Sequence, residues 1–101
     1  MAVLQVVKGP NVGEVIALDR SRSILGRHPE CEVRLDVGAV SRQHAQIVRV
    51  GDGEFFVEDL QSRNGTYVNN QLIAGPQRLT DRDRLKICDV LFTFHLSDPN
   101  L

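Results

Sequence analysis

The feature that most constrains this chain is its rhythm: Val, Ile and Leu come in short runs, each closed within a few residues by Gly, Pro, Asn or Asp, and no window sustains a 3.6-residue period. Runs of this kind build strands. They fall at Leu4–Val7, Glu14–Leu18, Arg22–Gly26, Glu32–Leu35, His44–Val50, Glu54–Asp59, Thr66–Val68, Gln71–Ile73, Gln77–Leu79, Arg84–Ile87 and Val90–Leu96, about eleven in all. The last run alternates most clearly. Val90, Phe92, Phe94 and Leu96 share one face, which belongs in a core, and Leu91, Thr93 and His95 share the other, which leaves His95 on the surface. Gly9-Pro10-Asn11 and Gly51-Asp52-Gly53 supply the positive or preset φ of hairpin turns. So many short strands in one open sheet would leave its apolar face wet. The expected fold is therefore all-β, a β-sandwich of two twisted, mainly antiparallel sheets.

At 101 residues, with 42% hydrophobic and 25% charged residues, the chain suits one core. A chain of this size buries somewhat more than ~60% of its unfolded surface. We expect a single domain over residues 1–101, with its core at about 3–96 and a polar tail at 97–101, and a monomer in isolation. Twelve basic residues against thirteen acidic ones give a net charge of −1, so no overall field gathers nucleic acid or an anionic membrane. No run approaches the ~20 apolar residues of a membrane span, and Met1–Gln5 lacks the pattern of a secretory signal, which points to the cytoplasm. Cys31 and Cys88 lie far apart with no C-x-x-C, so their spacing offers neither a zinc site nor a disulfide framework. They read as buried free thiols, and no metal or cofactor is expected.

Only two of the twelve basic residues are Lys; the other ten are Arg, the side chain suited to forked recognition of oxyanions. Three segments place an Arg beside small polar groups: Gly26-Arg27-His28-Pro29, Ala39-Val40-Ser41-Arg42-Gln43-His44 and Asp59-Leu60-Gln61-Ser62-Arg63-Asn64-Gly65-Thr66. A phosphomonoester carries about −1.5 to −2 charges at neutral pH and three strong acceptor oxygens, so its pocket needs guanidinium forks, hydroxyls and free backbone N–H groups. Arg27, Ser41, Arg42 and Arg63 offer that set. Asn64 adds an amide able to clamp a peptide backbone, and Gly65 permits close approach or positive φ. Counting strands does not place these three loops at one end of a sandwich, because loops alternate between the ends.

Taken together, Gly26-Arg27, Ser41-x-x-His44 and Asp59-Leu60-x-Ser62-x-Asn64-Gly65-Thr66-x-Val68-Asn69 closely resemble the forkhead-associated (FHA) domain, a phosphothreonine-binding module. The resemblance runs from the first strand to Phe94. It implies an eleven-stranded sandwich of the SMAD/FHA type with these loops gathered at one end, binding a phosphothreonine-containing protein or peptide as an adaptor in Ser/Thr-kinase signalling. It puts Arg27 and Ser41 on the phosphate, Arg42 on it through its backbone N–H with its side chain as a further candidate contact, and Asn64 on the peptide backbone beside the phosphothreonine. Gly26, His44 and Gly65 support the site, the ring of His44 bracing the loops that carry Arg27 and Ser41. Arg63 stands where many members have a hydroxyl, which leaves it open between the phosphate, an acidic neighbour in the ligand, and solvent. Ala39 and Val40 suggest an apolar preference three residues after the phosphothreonine.

Two departures lie away from the site. Members commonly have a Gly in the middle of the turn occupied here by Asp81-Arg82-Asp83, and another near Cys88. A non-Gly residue held at positive φ costs about 1 kcal/mol, so these turns are expected to have changed type. Asn69-Asn70 replaces the frequent Asn-Gly, and Asn tolerates the left-handed region. Ser41 and His44 do not suggest a hydrolase: no G-x-S-x-G elbow is present, and residues three apart at the start of a strand face opposite sides. The chain is expected not to be an enzyme. The other reading is a phosphate-independent interaction or assembly module on the same fold.

Overall fold

The computed structural model describes residues 1–100; Leu101, assigned above to the polar tail, lies outside the described residues. Eleven strands form where the apolar runs fall: β1 (Val3–Lys8), β2 (Val15–Ala17), β3 (Arg22–Gly26), β4 (Val33–Arg34), β5 (Ala45–Val50), β6 (Glu54–Asp59), β7 (Thr66–Val68), β8 (Gln71–Leu72), β9 (Gln77–Leu79), β10 (Arg84–Ile87) and β11 (Val90–His95). Several are a residue or two shorter than their apolar runs, because hydrogen-bonded pairing stops before the apolar pattern does. β11, for example, ends at His95, and Leu96 beyond it is exposed.

The strands make two sheets, one of six in the order β2-β1-β11-β10-β7-β8 and one of five in the order β4-β3-β5-β6-β9. Their apolar faces meet in a core. Leu4 lies opposite Phe94 and Leu85 opposite Phe92 in the first sheet; Leu25, Ile47, Phe55 and Val57 come from the second. Phe55 and Phe94 touch across the layers with ring centroids 5.5 Å apart at 57°, a tilted aromatic pair. The Val90–Phe92–Phe94 face expected to be internal is fully enclosed.

Every strand pair but one is antiparallel. β3 and β4 run parallel, with Leu25 beside Val33 and Gly26 beside Arg34. This two-residue pairing decides where the loops go. Because β4 leaves in the same direction as β3, the β3–β4 and β4–β5 loops share one end of the sandwich, where β5 begins with Ala45 opposite Leu25. β6 returns to that end, with Asp59 opposite Ala45, so the β6–β7 loop joins them. The β10–β11 turn arrives there as well, since Ile87 pairs with Thr66 at the start of β7.

Three expectations need correction. Arg82 (φ 70) and Cys88 (φ 54) keep the left-handed conformation, so those turns have not changed type and carry the cost of a side chain there. Asn69 and Asn70 (φ 50 and 68) adopt it too, as Asn allows. Cys31 and Cys88 are free thiols but only half-buried, because both sit in loops instead of strands. His95 is half-buried, not on the surface: its Nε2 is enclosed without a hydrogen-bond partner among the described residues, and Asp81, Arg82 and Ser97 to Pro99 line the same cleft as its ring.

Candidate functional site

Three loops at this end are stitched to one another through their backbones. The Arg27 amide donates to Ser41 O over 3.0 Å and the His28 amide to Arg42 O over 3.1 Å, so the β3–β4 loop runs alongside the β4–β5 loop. That approach requires Gly26, where an added Cβ would overlap the carbonyl of Arg42. The β6–β7 loop is tied in by the Leu60 amide to His44 O at 2.9 Å and by the Arg63 amide to Ser41 Oγ at 3.0 Å. Gly65 (φ 81) takes a conformation few side chains adopt, and a Cβ there would lie 2.6 Å from Leu72 Cδ1. Asn64 itself is not at positive φ, so Asn64-Gly65 is not a type I′ hairpin turn.

His44 is fully buried beneath these loops. Its Nδ1 accepts from the Ser41 amide at 3.2 Å, which puts the proton of the neutral ring on Nε2, 2.8 Å from Gly65 O. The ring thus spans the Ser41 and Gly65 loops and not, as the resemblance implied, the loop of Arg27, which is held by backbone bonds. Ser41 precedes β5 in irregular chain, where strand alternation does not apply. The contact is to the serine's amide, so the geometry is not that of a base beside a nucleophile.

Each expected ligand group keeps a donor or acceptor that its partners among the described residues leave unused. Ser41 Oγ accepts from Arg63, which leaves the hydroxyl proton to donate elsewhere. Arg27 Nε donates to Val40 O at 3.1 Å, pinning the guanidinium while both Nη groups remain. The Arg42 amide has no hydrogen-bond partner among the described residues. Asn64 Nδ2 donates to Ala39 O at 3.1 Å and lies 3.7 Å from Cys88 Sγ, so its Oδ1 is the atom left to accept from a ligand N–H. Arg27, Arg42 and Arg63 are exposed and form no ion pair among the described residues; Arg42 is not paired with Asp36, although both line one cleft. Val40, by contrast, is 1% exposed and belongs to the core, so it cannot present an apolar surface to a ligand; Ala39 remains exposed.

Other residues of the site carry no role in the sequence reading. Asp59 accepts from the Ser62 amide at 3.0 Å, the Ser62 hydroxyl at 2.5 Å and the Thr66 hydroxyl at 2.7 Å, and Ser62 Oγ accepts in turn from the Gly65 amide at 2.9 Å. Partial burial pushes the Asp59 carboxyl upward. The bonds from Ser62 and Thr66, with His44 nearby, outweigh that and hold it below its ordinary range. The Asp-x-x-Ser spacing of a turn capped by its own side chain was the available signal. The two thiols also bear on the Ser41 loop, Cys31 donating to Arg42 O and Cys88 to Ala39 O, each at 3.3 Å. Burial, only partly offset by its hydrogen bond with His28, raises the Cys31 thiol, so it stays protonated and able to donate.

A family model described as the FHA domain matches residues 23–88. The oxoglutarate dehydrogenase inhibitor of Corynebacterium efficiens is 49% identical over 70 residues, 69% of this chain and 49% of that protein. The chain thus spans about half the length of the curated relatives it matches. Among solved structures, Mycobacterium tuberculosis EmbR in complex with a low-affinity phosphopeptide aligns with a TM-score of 0.87 and 34% identity, over 95% of this chain and 24% of that one. A structure described as an analysis of phosphothreonine-dependent FHA domain interactions aligns with a TM-score of 0.85 and 29% identity, over 96% and 97%.

Proposed function

The chain belongs to the FHA domain family, and from that premise we propose that it is a phosphothreonine-dependent protein-binding module in Ser/Thr-kinase signalling, with no chemistry of its own. Arg27 and Ser41 hold the phosphate with the Arg42 amide, Asn64 accepts from the peptide backbone beside it, and Gly26, His44 and Gly65 keep the loops in place. Arg63 contributes its amide to Ser41 and leaves its guanidinium for the phosphate or an acidic neighbour. The two free thiols accord with a reducing compartment such as the cytoplasm.

One observation carries this reading. The hydroxyl of Ser41, the guanidinium of Arg27 pinned through Nε, and the amide of Arg42 lie on two loops joined by direct hydrogen bonds, and each keeps an N–H or O–H donor of the kind a dianion needs that has no acceptor among the described residues. The contact is small, which fits a transient complex in the micromolar range, about −8 kcal/mol. A phosphopeptide array scored against its dephosphorylated copy tests it. Binding confined to phosphothreonine spots is the expected result; equal binding to the dephosphorylated copy would replace this reading with a phosphate-independent assembly module.

A further inference from the structure

Beside the proposed site lies a cleft of about 370 Å³ lined by Arg27, His28, Pro29, Arg34, Asp36 and Arg42. Ser41, Arg63 and Asn64 are not among its walls, so it opens on the β4 side of the arginine pair. Its third guanidinium comes from the parallel pairing: Arg34 stands beside Gly26, at the root of the loop that carries Arg27, and the Leu35 amide fastens this edge to Gly26 O over 2.7 Å. Three guanidiniums face one carboxylate, a formal charge of +2, and none of the three forms an ion pair among the described residues. The wall adds a further donor. His28 Nδ1 accepts from the Glu30 amide at 3.1 Å, which leaves the proton of the neutral ring on Nε2.

We infer that this cleft is a second oxyanion subsite, built on Arg34, which takes a phosphorylated or carboxylate side chain of the same peptide that presents the phosphothreonine. The inference rests on the phosphothreonine reading above. Arg27 has donors for both tasks: with Nε on Val40, its two Nη groups keep four N–H bonds, and one bidentate contact uses two. Arg34 is not among the residues assigned to the first phosphate, although it shares this cleft with Arg27 and Arg42. In an extended peptide, side chains two residues apart project to the same side at about 7 Å. The second oxyanion is therefore expected within a few residues of the phosphothreonine, on a side chain that reaches Arg34. Asp36, in the same wall, repels an anion and so limits the gain that the three guanidiniums supply.

Fluorescence anisotropy with labelled peptides decides the matter. One peptide carries a single phosphothreonine on a neutral background; others add a phosphoserine, or a Glu, at each position from three before to three after it. The wild type is expected to gain about tenfold in affinity from the second phosphate at one position, and less from Glu, since a second bidentate charge-assisted contact then forms within one complex. Arg34→Gln is expected to erase that gain while binding the singly phosphorylated peptide as the wild type does, with an unchanged thermal midpoint. Asp36→Asn is expected to enlarge it. No gain at any position, an equal gain at every position, or a gain that survives in Arg34→Gln would overturn the inference while leaving the first site standing. Wild type that bound neither peptide would bring down the phosphothreonine reading and the subsite with it.

Discussion

The buried ring of His44 bonds Gly65 O across 21 residues of sequence at 2.8 Å while accepting from the Ser41 amide at 3.2 Å, so one side chain ties together two loops of the candidate site. Truncation to Ala would leave an amide and a carbonyl without partners above a cavity. His44→Ala is expected to lose roughly 2–4 kcal/mol of stability, read from urea unfolding, and to weaken phosphopeptide binding even where the protein is fully folded. A variant of wild-type stability and affinity would show that the loops hold their spacing without the ring.

Arg27 is exposed, so its loss has little to do with the fold. Arg27→Ala is expected to bind a phosphothreonine peptide about 2–5 kcal/mol more weakly, below detection for a micromolar complex, with its melting temperature unchanged. Titration of both proteins with one peptide checks this, and equal affinity would remove Arg27 from the site.

Two acid responses are expected, and they separate. Affinity falls first, below about pH 6, as the ligand phosphate takes its second proton. The fold responds later. The folded-state pKa of Asp59 lies below its unfolded value, so the stability it contributes is fully present above the unfolded carboxylate pKa, about 4, and is lost as pH falls through the lower folded value. Thermal melts from pH 6 to 2 are expected to drop less steeply at the acid end for Asp59→Asn than for wild type. Parallel curves would mean that Asp59 does not supply this dependence.

Arg82 holds φ 70 in an exposed turn where its side chain contributes only a 3.8 Å ion pair with Asp81. Gly adopts that conformation without the steric cost, so Arg82→Gly is expected to raise stability by about 0.5–1 kcal/mol with no effect on ligand binding. A lower denaturation midpoint would show that the turn owes more to the arginine than to its backbone.

The sequence by itself determined the all-β class, the positions of eleven strands, the inward Val90, Phe92 and Phe94 of β11 and the three motifs that fall in loops, because each is written in a local pattern: a period of two, a turn residue, a motif of fixed spacing. It failed where a residue's surroundings come from elsewhere in the chain. Val40 reads as an exposed loop residue and is core; His95 reads as outward and is enclosed; Cys31 and Cys88 read as buried and sit half-open against the Ser41 loop. The turns at Arg82 and Cys88 keep a conformation that their side chains disfavour, which only neighbouring strands can impose. Above all, the gathering of three loops at one end depends on β4 running parallel to β3 for two residues. A pairing that short leaves no periodic signature in the sequence. It exists because Val33 fills the core beside Leu25, a contact that tertiary packing alone supplies.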